Sequence, residues 1–363
     1  ILKLNTGNPA TFGFGLPDSI KNALMEHMQD GVGYCDFKGM PQARQAICDY
    51  ETSKGIKGIT PDDVFIGNGV SEVVSFALTP LLNDGDEVLV PSPSYSLWGN
   101  SVYLEDGKPV FYTCDEQANW YPDIQDIRSK ITDKTKAIVI INPNNPTGVV
   151  YDEATIKALA AIMEKKEKEF GTSIVLISDE PYRELAYGGV DVPFVTKFYH
   201  NAVVGYSYSK SLSVPGERIG YVVVPDEVEN ADQVIDGIVV SNRTLGFVNA
   251  PSLLQKAVAK CLDEKTNLAF YDENRKMLYE GLQKLGFHCI KPEGAFYMWV
   301  KSPETDEEKF VAAGKKYNII MVKGSAFGCA GYVRLAYCVS HETVKNALTA
   351  FEKLAEDYGL YTE

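Results

Sequence analysis

The segment Ser207-Tyr208-Ser209-Lys210-Ser211-Leu212-Ser213-Val214-Pro215-Gly216-Glu217-Arg218 sets a lysine among hydroxyls, with an arginine eight residues further on. A lysine in this setting can bond covalently to an aldehyde cofactor, and hydroxyls with an arginine can hold an anionic group such as a phosphate. A bare Ser-Lys dipeptide would be read as a solvated turn, because short motifs match by chance. The apolar run Ala202-Val203-Val204-Gly205-Tyr206 before it reads as a buried strand. Lys210 is therefore expected on the loop at the C-terminal end of that strand, where ligands bind in open α/β sheets.

Other polar strings also follow apolar runs. Gly67-Asn68-Gly69-Val70-Ser71-Glu72 leads into a helical pattern. Backbone N–H groups at such a helix start can cradle a phosphate, and the same residues alone would be a structural turn and N-cap. Pro91-Ser92-Pro93-Ser94-Tyr95-Ser96-Leu97-Trp98 offers a flat ring. Asn142-Pro143-Asn144-Asn145-Pro146-Thr147-Gly148 cannot continue a strand and holds an amide side chain in the cleft. Ile177-Ser178-Asp179-Glu180-Pro181-Tyr182 ends a further strand with an acid pair, which suits either a ring nitrogen or a magnesium ion. In Gly331-Tyr332-Val333-Arg334-Leu335 an arginine stands among apolar neighbours, where burial would demand an anionic partner. Its planar fork suits a carboxylate, with an internal salt bridge as the alternative.

These strings need a scaffold that gathers strand ends. Apolar runs near 64–66, 87–90, 109–113, 137–141, 174–178, 202–206 and 219–224 alternate with helical patterns such as Ser71 to Leu82 and Asp152 to Phe170, the latter stopped by Gly171. The pattern predicts an α/β fold with a mostly parallel seven-stranded sheet sandwiched by helices. Helices around 251–263, 264–285, 305–317 and 341–357, with strands over 295–300, 319–322 and 332–336, predict a smaller α+β domain. A helix is expected from Pro17-Asp18-Ser19, while residues 4–15 read as an extended arm. The expected division is 33–272 for the large domain, and 1–32 with 273–363 for the small one.

At 363 residues, with 45% hydrophobic residues, the chain can bury a large core. A formal charge of -14 argues against a nucleic-acid partner or an anionic membrane surface, and no apolar run approaches a membrane span. Seven cysteines, widely spaced and without a Cys-x-x-Cys pair, read as reduced thiols of a cytoplasmic protein. The chain starts at Ile1, so a processed or missing leader stays open.

The lysine string, the Asn-Pro loop, the Asp-x-x-Tyr step and Arg334, in this order along the whole chain, resemble the fold type I aminotransferases that use pyridoxal 5'-phosphate. The resemblance implies that Lys210 holds the cofactor and Arg218 its phosphate, with Ser207, Val70 and Ser71 beside it. Tyr95 would stack on the pyridine, Asn145 and Tyr182 would meet the phenolic oxygen, and Asp179 would face the ring nitrogen. Arg334 would clamp the α-carboxylate of the substrate, near Asn145 and Gly7. Tyr34 would cross to the phosphate of a partner subunit in a homodimer with shared sites. Arg243 lies about where aspartate aminotransferases place an arginine that reaches the partner's site; an ordinary surface salt bridge is its other reading. Pro292-Glu293-Gly294-Ala295-Phe296-Tyr297 matches a family stretch to which no chemistry attaches.

Within the family, Leu4 to Pro9, Gly33 to Gly39 and Phe65 to Glu72 most resemble bacterial glutamate-pyruvate (alanine) aminotransferases, whereas Ser213-Val214-Pro215-Gly216-Glu217-Arg218 departs from that subgroup. The implied activity is ping-pong amino transfer between an L-amino acid and a 2-oxo acid, with glutamate, alanine or aspartate as donor. A C–S β-lyase of the same fold is the alternative, since the lysine does not fix the reaction. A pyridoxal-phosphate-sensing regulator is a third class, weighed down by the acidic charge and by an N-terminus that runs straight into the arm.

Overall fold

The computed structural model describes residues 1–12, 15–264 and 266–360. After a short first strand, β1 (Leu2–Lys3), the chain builds a seven-stranded sheet. Its strands are β2 (Val64–Gly67), β3 (Glu87–Ser92), β4 (Lys108–Thr113), β5 (Thr135–Ile141), β6 (Val175–Asp179), β7 (Ala202–Ser207) and β8 (Gly220–Val223), in the spatial order β2-β8-β7-β6-β5-β3-β4. Neighbours from β4 through β7 pair in parallel, and β8 runs antiparallel to both β7 and β2. The expected strand count and mostly parallel sense hold.

These strands form where they do because they bury both faces. Alternate residues divide between two cores: Leu89, Ile138, Ile140, Leu176 and Val204 pack on one side. Val88, Val90, Val139, Ile141, Ile177 and Val203 pack on the other. Helix Glu153–Phe170 covers the first face through Ile156, Leu159 and Met163. Its N-cap Asp152 accepts from the Thr155 N–H at 2.8 Å, and Gly171 ends it at φ 65, the left-handed conformation glycine adopts most easily. Helices Val70–Leu78 and Ala231–Thr244 cover the second face.

The remaining strands are β9 (Tyr297–Lys301), β10 (Ile319–Ile320), β11 (Val322–Lys323) and β12 (Tyr332–Ala336). Antiparallel β11-β12-β9 packs beneath helices Leu268–Lys284 and His341–Asp357 around a core with Phe287, Phe296, Phe310 and Phe351. The run 319–322, expected as one strand, divides at Met321: β10 pairs with β1 and β11 with β12.

The N-terminal segment is strapped across this smaller layer. Leu4 N–H donates to the Ile320 carbonyl at 3.0 Å, and the Leu4 carbonyl accepts from Ala336 N–H at 2.6 Å. Farther on, Ile20 and Ala23 of helix Asp18–His27 enter the core shared with Val64, Tyr206 and Tyr221 of the large sheet. The arm is not extended throughout, for Pro9–Phe12 forms one 3-10 turn, and a proline suits the first position of a turn. The Gly13-Phe14 part of the expected arm lies outside the described residues. Among the described residues no helix is long and apolar enough to cross a membrane, and all seven cysteines are free thiols.

Candidate active site

In spatial order the chain reverses direction between β3 and β5, a switch point at which a crevice opens beyond the carboxyl ends of the strands. Tyr95 follows β3, Asn145 follows β5, Asp179 ends β6 and Lys210 follows β7. Since β8 is antiparallel, Arg218 arrives at the same edge just before it. Together these residues line a cavity of about 390 Å³ with Gly7, Val70, Ser71, Tyr182, Ser207, Ser209, Tyr297 and Arg334.

Lys210 sits in the single helical turn Tyr208–Ser211, not in an open loop. Ser207 caps that turn, its Oγ accepting from Ser209 N–H at 3.2 Å. Lys210 Nζ donates to the Gly7 carbonyl at 2.6 Å. Burial lowers its pKa to about 8, with smaller pushes in the same direction from Arg334 and Arg218 and an opposing one from Cys338. Such an amine exchanges a proton readily near neutrality.

Asp179 is 6% exposed. Its Oδ2 accepts from the Trp98 indole N–H at 2.9 Å, and its buried Oδ1 has no partner. Loss of hydration raises its pKa to about 7, against the lowering effect of Trp98. Its neighbour Glu180 turns elsewhere, accepting from Ser178 Oγ at 2.7 Å and pairing with Arg183, which also binds Glu51. The acid pair of the sequence is therefore split between a cleft carboxylate and a buried ion-pair network.

In the same cavity, Arg334 Nη1 donates to Asn145 Oδ1 at 2.9 Å and Nη2 to the Asn5 carbonyl at 3.0 Å, while its buried Nε has no partner among the described residues. The guanidinium lies 4.1 Å over the Tyr297 ring and 4.7 Å over Phe327. With Oδ1 of Asn145 occupied by Arg334, the Nδ2 amide is the end left to donate. The Tyr182 and Tyr297 hydroxyls share a 3.0 Å hydrogen bond.

At the other end, Arg218 Nη1 donates to Ser209 Oγ at 3.2 Å and to the Pro215 carbonyl at 3.1 Å. Gly69, at φ +85, lets Arg218 close over the start of helix Val70–Leu78, since a Cβ there would stand 2.5 Å from Arg218 Nη2. The Val70 and Ser71 N–H groups in the first helical turn have no acceptor within the helix. Arginine, hydroxyls and free N–H groups form an anion cradle. In the same cavity, the unpartnered Asp179 Oδ1 can accept a hydrogen bond from a protonated ring nitrogen. The lining thus fits pyridoxal phosphate at its phosphate, its ring nitrogen and its aldehyde.

The sequence profile described as aminotransferase class I and II matches residues 1–351. The chain belongs to the class I and II aminotransferases. This aminotransferase is 36% identical to the glutamate-pyruvate aminotransferase of Haemophilus influenzae, over 99% of this chain and 91% of the relative. It superimposes with TM-score 0.93 and 38% identity on the crystal structure of an aminotransferase from Eubacterium rectale, covering 97% and 89% of the two chains. The alanine aminotransferase of Pyrococcus furiosus matches at TM-score 0.89 and 33% identity, over 98% and 92%. The class uses pyridoxal 5'-phosphate, and this chain is a pyridoxal-phosphate-dependent transaminase.

Two residues singled out in the sequence do not line this aminotransferase's cavity. Tyr34 is 89% exposed, and Arg243 is exposed with its guanidinium 4.1 Å over Phe37. Three residues that hold the site were passed over. Trp98 lay in a string read for Tyr95, Ser209 lay in the lysine string, and Tyr297 lay in the stretch given no chemistry. Tyr297 opens β9 and meets both Tyr182 and Arg334.

Proposed function

We propose that the preferred exchange is between glutamate and pyruvate, in a cytoplasmic homodimer serving amino-acid biosynthesis. The observation that carries the amino-acid part is Arg334, a buried guanidinium that lines the same cavity as Lys210 and Asp179 and whose Nε has no hydrogen-bond partner among the described residues. The names borne by similar proteins support the choice of pair. When bound, pyridoxal phosphate supplies an electron sink for the substrate's α-carbon.

The chain's residues divide the work as follows. Lys210 would hold the cofactor through Nζ, and the same amine, when free, would serve as the base that carries the substrate's α-proton. Asp179 keeps the ring nitrogen protonated. Asn145 Nδ2 and the Tyr182 hydroxyl would donate to the phenolic oxygen, and the half-exposed Tyr95, which lines the cavity, would pack on the ring. Arg218, Ser207 and the Val70 and Ser71 N–H groups take the phosphate. Arg334 would take the α-carboxylate, with Gly7 lining the same cavity.

Tyr34 belongs to the partner's phosphate in this reading. Val32, Phe37, Leu245 and Phe247 are exposed apolar side chains as well. Such side chains fit burial against a second copy. The proposed division is 33–272 for the large domain, and 1–32 with 273–363 for the small one; helix Asp18–His27 nevertheless packs in a core of the large sheet, and helix Leu268–Lys284 spans the boundary.

Apart from Lys210, Arg218 and Arg334, the cavity lining contains no cation among the described residues, so a side-chain carboxylate needs one from elsewhere. Arg243 of a partner subunit is our candidate. Arg243→Ala should raise KM for glutamate about tenfold while leaving alanine nearly unchanged. Equal effects on both amino acids would remove Arg243, and no exchange between glutamate and pyruvate would remove the substrate pair.

A further inference from the structure

The Tyr182–Tyr297 hydrogen bond leaves open which hydroxyl donates, and each phenol has only one proton. If Tyr182 gives its proton to the cofactor's phenolic oxygen, the donor to Tyr182 must be Tyr297. Both residues are buried, at 4% and 3% exposure, and a hydrogen bond is stronger in such low-dielectric surroundings. Tyr297 is held in place from above and below. Gly7 passes over its hydroxyl so closely that any Cβ there would collide with it, and the Arg334 guanidinium lies against its ring at 4.1 Å.

A cation against a phenol ring draws electron density from its oxygen and makes the hydroxyl a better donor. A carboxylate pairing with Arg334 partly cancels that pull. We propose that Tyr297 is a positioning residue that couples the substrate clamp Arg334 to the donor Tyr182, so that occupation of the clamp is felt at the cofactor's phenolic oxygen. The coupling runs beside the direct contact of Arg334 with Asn145 and rests on the role given to Tyr182 above.

Tyr297 faces Arg334, Tyr182, Cys338 and Tyr95, and Tyr182 faces Arg334 and Asp179. The Cys338 thiol is pushed up to about 12 by burial and stays neutral. Arg334 is thus the charged group beside Tyr297 near neutral pH, and titration of Asp179 is common to every variant compared.

The test uses the holoenzyme as wild type, Tyr297→Phe, Tyr182→Phe and the double variant, since phenylalanine keeps the ring beneath Arg334. The pH midpoint of the cofactor's visible absorbance is read with and without saturating acetate, a carboxylate that cannot react. Acetate should raise the wild-type midpoint. In Tyr297→Phe the acetate-free midpoint should already be higher and the acetate response about halved, with kcat lowered about fivefold and KM little changed. The double variant should match Tyr182→Phe, because the hydroxyls act in series. A full acetate response in Tyr297→Phe, or additive effects in the double variant, would overturn the coupling. A chain that takes up pyridoxal phosphate without a borohydride-fixed adduct at Lys210 would instead overturn the site assignment on which it rests.

Discussion

Trp98 donates its indole N–H to Asp179 Oδ2 at 2.9 Å while the second oxygen, Oδ1, is buried without a partner. The arrangement gives the carboxylate one fixed neighbour and one open face. An indole N–H donates only and does not titrate, so it orients Asp179 without altering its own charge across the working pH range.

Removing that donor should therefore do more than loosen packing. Trp98→Phe leaves both Asp179 oxygens without a partner, which costs about 1–3 kcal/mol in a buried site. The variant should melt lower than wild type and bind pyridoxal phosphate more weakly. In single-turnover measurements it should also remove the α-proton about tenfold more slowly. A loss of melting temperature with unchanged cofactor affinity and proton removal would reduce Trp98 to a packing role.

Asp179 also makes a stability prediction with a definite sign. Its folded-state pKa, about 7, stands above the ordinary aspartate value of 3.8, so its favourable contribution is complete only below the lower value. The contribution declines as pH rises through that interval and is lost above the upper one. In cofactor-free protein, Asp179→Asn should therefore gain on wild type at alkaline pH. The gap should narrow by about 1 kcal/mol from about pH 8 to about pH 6. With cofactor bound the same variant should slow α-proton removal severely, because a neutral amide no longer favours a protonated ring. A gap that stays flat with pH would mean that Asp179 does not titrate in this range.

Sharing of sites between subunits is tested by complementation. Mixing a Lys210→Ala chain with a Tyr34→Ala chain should give heterodimers in which one site carries both defects and the other neither. Activity should return to about half of wild type in verified heterodimers, as one intact site per dimer requires. No recovery would assign Tyr34 to its own subunit.

What could be read in the sequence followed from how local each signal is. The seven strands of the large sheet announce themselves as buried apolar runs, and Asp152 and Gly171 mark the ends of their helix. Lys210, Asn145, Asp179 and Arg218 were legible because the fold places strand ends together, so a polar string after an apolar run already has an address. Trp98 was not, since its partner lies far along the chain and an indole beside Leu97 looks like core. Tyr297 was hidden for a related reason. It opens an antiparallel strand of the smaller layer, and its role appears only when Arg334 on β12 comes to rest over it. The break at Met321 depended on a distant partner too, because β1 at the start of the chain claims Ile319 and Ile320.

The central claim is that Lys210 carries the cofactor in the crevice at the switch point. Incubation with pyridoxal phosphate, reduction by borohydride and peptide mapping test it directly. One modified peptide, containing Lys210, is the predicted result, with Lys210→Ala giving no adduct. An adduct at any other lysine, or undiminished labelling of Lys210→Ala, would contradict the account of the whole site.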